Sequence, residues 1–219
     1  MKTLIRSAAF ALAATIAATS GQALAASKTL SFDVLRDGQN IGTHSYAISD
    51  NGAETQVEVT TDIKVKMLFI TAYKFVHASK EIWQNGQLVS LNSTTDDDGT
   101  PKALNATTEG GKITIDSQVK GQDRRQHANM PMIPASLWKQ DITKQDAVLN
   151  TLDGTVMEIS VEDLGTEAVE AAGASIQAQH YSITGELTRE LWFNTAGDLV
   201  RVRFPDKTGT EIIYALRGS

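Results

Sequence analysis

The stretch AETQVEVTTDIKVKMLFITAYKFVHASKEIWQ, residues Ala53 to Gln84, decides the fold. Val57, Val59, Thr61, Ile63 and Val65 fall on one parity, and Gln56, Glu58, Thr60, Asp62 and Lys64 on the other. Such alternation marks a strand with one buried face. After the apolar step Met67-Leu68-Phe69-Ile70 a second strand follows. Its odd positions are Tyr73, Phe75, His77, Ser79, Glu81 and Trp83. One face therefore carries three aromatics, with a histidine and a glutamate among them.

Outward from this pair the same grammar repeats. Turn signals recur at Asp37-Gly38, Asn51-Gly52, Asn85-Gly86, Asp98-Gly99, Gly110-Gly111, Asp153-Gly154, Ala172-Gly173, Thr184-Gly185, Ala196-Gly197 and Thr208-Gly209. Asn-Gly and Asp-Gly suit tight hairpins because both central residues take positive φ. The runs between them predict an all-β, antiparallel meander of about 12–14 strands, curled into an open or half barrel. Residues 155–164 and 166–172 read as two separate strands. One segment breaks the pattern, Met130-Pro131-Met132-Ile133-Pro134-Ala135-Ser136-Leu137-Trp138. Its prolines exclude a central strand, and it predicts a short helix or lid near 131–150. Helical propensity extends through Asp141–Leu152, with Ile142, Leu149 and Leu152 on one face.

The chain opens with Lys2 and Arg6, continues in an apolar run from about Ala8 to Ala18 and reaches Ala23-Leu24-Ala25. These are the parts of a secretory signal peptide. The run is too short to span a bilayer. The expectation is export, cleavage near Ala25 and a periplasmic or secreted single β domain over 26–219. Lys2 and Arg6 leave with the leader, so the formal charge moves from −6 to −8. An acidic surface disfavours nucleic acid and anionic membranes as partners. With no cysteine, disulfides, thiolate nucleophiles and cysteine-held metals are excluded. Aromatics make up only 6% of the chain, and Pro101–Glu109 and Lys112–His127 are polar, which argues against a membrane-spanning barrel.

Catalytic motifs do not appear. There is no Gly-x-Ser-x-Gly elbow, no His-Glu-x-x-His helix and no phosphate loop. His44, His77, His127 and His180 lie at no ligand spacing, so no metal, cofactor or catalytic residue is predicted. Asp96-Asp97-Asp98-Gly99 fails the calcium-loop pattern and reads as a hairpin tip. His77 and Glu81 stand roughly 13 Å apart along one strand and cannot touch. They either fix a ligand head group or sit satisfied at the sheet rim. Trp83, Trp138 and Trp192 read as core. Arg201 and Arg203 face Glu190 and Trp192 as a cross-strand ion pair. Met130 and Met132 suit an adaptable apolar surface, so their segment is either a lid over the sheet or a permanent cap.

In order along the chain, several signatures resemble the secreted bacterial domain of unknown function family 6134. They run from Phe32, Val34, Gly38 and Ile41-Gly42-Thr43-His44, through Glu81, Trp83, Gly86 and Leu88, to Ser136 and Trp138. Leu149-Asn150, Asp153-Gly154, Gly165, Glu167, Gly173, Ala178 and Tyr181 continue the series. Leu191-Trp192-Phe193, Gly197, Leu199, Phe204, Gly209, Ile212 and Tyr214 complete it. The resemblance implies a fold and no activity. The layout is also similar to periplasmic half-barrels that carry lipids or lipoproteins, which is analogy of fold only.

These readings predict a protein that binds an apolar, lipid-like ligand on a face lined by Tyr73, Phe75, His77, Glu81, Trp83, Met130, Met132, Leu137 and Trp138. Two alternatives stand beside it. One is an envelope interaction module with a solid core. The other is a hydrolase whose His77, Glu81 or His180 converge only in three dimensions.

Overall fold

The computed structural model describes residues 26–67 and 70–218. The expected leader, residues 1–25, and the apolar pair Leu68-Phe69 lie outside them. Fourteen strands form one antiparallel sheet that does not close into a barrel. The first wing is β1 (Ala26–Arg36), β2 (Gln39–Asp50), β3 (Glu54–Met67), β4 (Ile70–Gln84), β5 (Gln87–Asp97), β6 (Thr100–Glu109), β7 (Lys112–Val119) and β8 (Gln122–Asn129). The second is β9 (Ala147–Leu149), β10 (Val156–Ala171), β11 (Ala174–Gly185), β12 (Arg189–Asn194), β13 (Leu199–Pro205) and β14 (Glu211–Leu216). Spatial order runs from β8 down to β1, then from β14 down to β9. Two meanders thus meet where the first and last strands pair, Phe32 opposite Leu216 and Val34 opposite Tyr214.

Hairpin chemistry sets this order locally. Asp37-Gly38, Asn85-Gly86 and Asp98-Gly99 hold both turn residues at positive φ, as tight two-residue turns require. The segment 130–146 has a different task. It joins the two opposite edges of the sheet. Thirteen strand spacings make a flat sheet roughly 60 Å wide, about the full reach of a link this long. The link is not extended, since it contains a 3-10 turn at Gln140–Lys144. The sheet must therefore curl, and the link crosses its inner face as a strap.

Three differences from the sequence expectation have physical causes. Helix does not extend through Asp141–Leu152. It stops after one 3-10 turn, because Ala147-Val148-Leu149 pairs with Val156-Met157-Glu158 and Leu149 also bridges Pro134. Residues 156–171 form one strand rather than two. Gly165, at φ +89°, absorbs a register shift after Asp163 without ending the pairing. The strand at Ala147–Leu149 was not expected at all, because three residues give no readable period.

The main core lies between the sheet's inner face and the strap. Phe32, Tyr46, Val57, Val59, Trp83, Leu91 and Ile115 of the first wing meet Met132, Ile133, Leu137, Ile142, Val148 and Leu149. Ile183, Leu191, Phe193 and Val202 of the second wing complete it. A smaller outer cluster joins Val169, Ala171, Ala178, Trp192 and Val200. A third, of Val34, Ile63 and Ile212, lies on the inner face beyond the main core and is flanked by half-buried Ile41, Val65, Phe75, Phe204 and Tyr214.

Candidate functional site

Register alone places a polar band inside the curl. His44 stands opposite Thr61, Thr61 opposite His77, and His77 opposite Thr95, four residues in a row across β2 to β5. All four are buried. The imidazoles share the same local device. His44 Nδ1 and Thr61 Oγ1 are 2.7 Å apart, and His77 Nδ1 and Thr95 Oγ1 2.8 Å. Burial drives both histidines toward the neutral form, His44 down to about 3 with help from repulsion by His77, and His77 down to about 4.

Toward the strap, the band turns into a clasp. The Tyr46 hydroxyl donates to the Ser136 carbonyl at 2.6 Å, and Ser93 Oγ to the Thr151 carbonyl at 2.5 Å. Glu81 is fully buried. Its Oε2 accepts from the indoles of Trp83 at 2.8 Å and Trp138 at 2.9 Å. Burial raises its pKa, opposed by the Ser136 hydroxyl, the two indoles and the Lys139 charge. Lys139 Nζ lies 4.4 Å from the Trp83 ring centroid and donates to the Gly86 carbonyl. The clasp thus ties β4 to the strap through one carboxyl group.

Toward the opposite end, the band meets the third apolar cluster. The His44 ring lies 4.8 Å from that of Tyr214, and Phe75 stacks on His77 at 6.3 Å. Tyr73 donates to Asp97, which also accepts from Lys102. This end of the inner face is the mouth of the curl. Val34, Ile63 and Ile212 are buried there, but Ile41, Val65, Phe75, Phe204 and Tyr214 around them are only partly covered.

Two buried polar atoms of this inner face, His44 Nε2 and Ser79 Oγ, have no hydrogen-bond partner among the described residues. Leaving such an atom unpaired costs about 1–3 kcal/mol, so each marks a place where a small polar group or water belongs. Among the described residues, no three His, Asp or Glu side chains are grouped to hold a metal ion. Open grooves also exist, one of about 1020 Å³ lined by residues such as Lys80, Asn92 and Asn105, and one of about 320 Å³ beside Asp153. Neither contains His44, His77, Glu81 or the strap residues, although the first also borders Ser79 and Ser93.

The nine residues expected to line a ligand site divide in two. Tyr73, Phe75 and His77 belong to the mouth. Glu81, Trp83, Met132 and Leu137 are buried with the strap, and Met130 and Trp138 are half-buried beside them. His77 and Glu81 lie inside the curl rather than at a rim. His180 is on the outer face, stacked on Trp192 at 4.1 Å between Glu167 and Glu190, so it does not join them. The outer pairing of Arg203 with Glu190 follows the register expected from the sequence. The mouth also contains residues that the sequence reading did not assign to the site: His44, Arg189 and Tyr214. A signal existed for one of them. Arg189 shares parity with Leu191 and Phe193, so a cation sits on the apolar face of its strand.

A curled, unclosed antiparallel sheet bridged by an internal strap defines a β-barrel-like protein. The chain belongs to the family described as domain of unknown function DUF6134, whose model matches residues 32–217. Among solved structures it is similar to a beta-barrel-like protein of domain of unknown function DUF1849 from Brucella abortus, at 9% identity and a TM-score of 0.64. The match covers 87% of this chain and 95% of that one, and at this identity it shows the fold alone. Comparison with curated proteins gives no significant match. No helix among the described residues is long and apolar enough to cross a membrane.

Proposed function

We propose that this is an exported periplasmic protein that binds an apolar, lipid-like molecule at the mouth of its curled sheet. Export rests on the leader pattern of residues 1–25. One observation carries the binding reading: half-buried apolar side chains (Ile41, Val65, Phe75, Phe204 and Tyr214) flank one end of the inner face, and one of them, Tyr214, lies against the ring of His44, whose Nε2 has no partner among the described residues. An apolar wall with a few unpaired polar groups is the usual make-up of a small-molecule site. Burial holds both imidazoles neutral, and the threonine hydroxyl on each Nδ1 fixes the ring in place.

Native mass spectrometry of the mature protein, purified without detergent from its own periplasm, tests this. A mass excess that extracts into organic solvent as one lipid class is the expected result. A bare polypeptide mass, with no uptake of added fatty acids or phospholipids, would overturn it.

A further inference from the structure

Arg189 opens β12 on the inner face, at the mouth. Its guanidinium lies 3.8 Å from the Phe204 ring centroid. Phe204 packs against Tyr214 at 5.6 Å, and Tyr214 against His44 at 4.8 Å, so the cation, two aromatics and the unpartnered imidazole form one contiguous wall. Arg36, Arg125, Arg203 and Arg217 each meet a carboxylate. Arg189, like Arg124 and Arg201, meets none among the described residues, but it is the one on the inner face at the mouth, and its hydrogen bond is to the neighbouring Thr188 carbonyl at 2.7 Å. Though not wholly shielded from water, its head is surrounded by enough protein that burial disfavours its charge, with only the Tyr214 and Tyr46 phenols to oppose that. A cation in such a place calls for a counter-anion.

We propose that the ligand is a long-chain carboxylate, a fatty-acid-like monoanion whose head pairs with Arg189 and whose alkyl chain covers the apolar residues of the mouth. This rests on the binding reading above and specifies its ligand. The planar fork of a guanidinium matches a carboxylate with two parallel hydrogen bonds. Charge count favours the same class. Arg189 is a single positive charge and His44, at the other end of the wall, is neutral, so one negative charge is balanced and a doubly charged phosphate monoester is not. The walls that would meet the chain, such as Ile41, Val65 and Phe75, carry no charge.

Equilibrium binding of palmitate, hexadecanol and hexadecyl phosphate to the mature protein at neutral pH tests the assignment. Palmitate is expected to bind roughly tenfold or more tightly than hexadecanol. Arg189→Gln should erase that advantage while hexadecanol affinity stays as it was, and Arg189→Lys should restore part of it. Equal affinity for palmitate and hexadecanol in the wild-type protein would overturn the anionic head yet leave the apolar carrier standing. Tighter binding of hexadecyl phosphate would overturn the carboxylate class. No binding of any of the three would overturn both readings. The wild-type comparison decides even if a variant fails to fold.

Discussion

Glu81 and the pair His44 and His77 lie on the inner face of β4 and β2, yet burial pushes their titrations in opposite directions. The folded-state pKa of Glu81 is raised above 4.5. Its contribution to stability is therefore complete below that value and is lost as pH rises through the folded pKa. Glu81→Gln keeps an acceptor for the two indoles and cannot ionise. The stability of this variant relative to wild type, from urea unfolding, should rise steadily from about pH 4.5 upward. The histidines have depressed folded values, about 3 for His44 and about 4 for His77. Their contribution is present above 6.5 and is lost as pH falls through the folded values. His44→Gln should flatten the acid limb of the stability profile between about pH 6.5 and 3, a difference on the order of a few kcal/mol at its acid end. A variant profile parallel to wild type would show that His44 is not buried neutral.

At the scale of elements, the strap and its anchors are the testable part. Gly154, in the turn between β9 and β10, has φ +75°, and a Cβ there would meet Ile115 Cγ2 at 2.5 Å and Leu104 Cδ1 at 2.8 Å. Gly154→Ala combines a disfavoured backbone with a clash inside the core, so thermal or urea denaturation should show a loss of roughly 2–4 kcal/mol. Leu137→Ala removes a buried side chain from the clasp's own segment and should cost a similar 2–5 kcal/mol. If the strap is a movable lid, ligand retention changes first and stability little. The strand pair β3–β4 was legible because buried and exposed residues alternate over Val57–Lys64 and His77–Glu81. The strap was legible only as an interruption. Its pairing of Leu149 with both Pro134 and Val156 depends on residues that no local period connects.

Across the whole molecule, the join between β1 and β14 dominates. It brings Phe32 to Leu216 across nearly the full described chain. Such pairing must wait for loop closure over the entire sequence, so refolding from urea should be slow, on the order of milliseconds to seconds or longer. Val34→Ala, at the seam, should speed unfolding more than it slows folding if the join forms last. Stopped-flow fluorescence of Trp83, Trp138 and Trp192 reports both limbs. A variant that chiefly slows folding would place the join in the nucleus instead.

By itself, the sequence determined the class of fold, the number of strands to within a few, the tight turns, the buried parity of β3 and β4 and the family. These follow from local rules, because period-two burial and positive-φ turns act between residues close in the chain. Only the tertiary structure decided that Glu81 serves the strap rather than a rim, that His180 faces away from His77, and that Arg189 shares a wall with His44 and Tyr214. Those outcomes come from the curl, which is set by a short link between opposite sheet edges. Which side chains a curl brings face to face is a property of the closed path of the chain, and no window of sequence contains it.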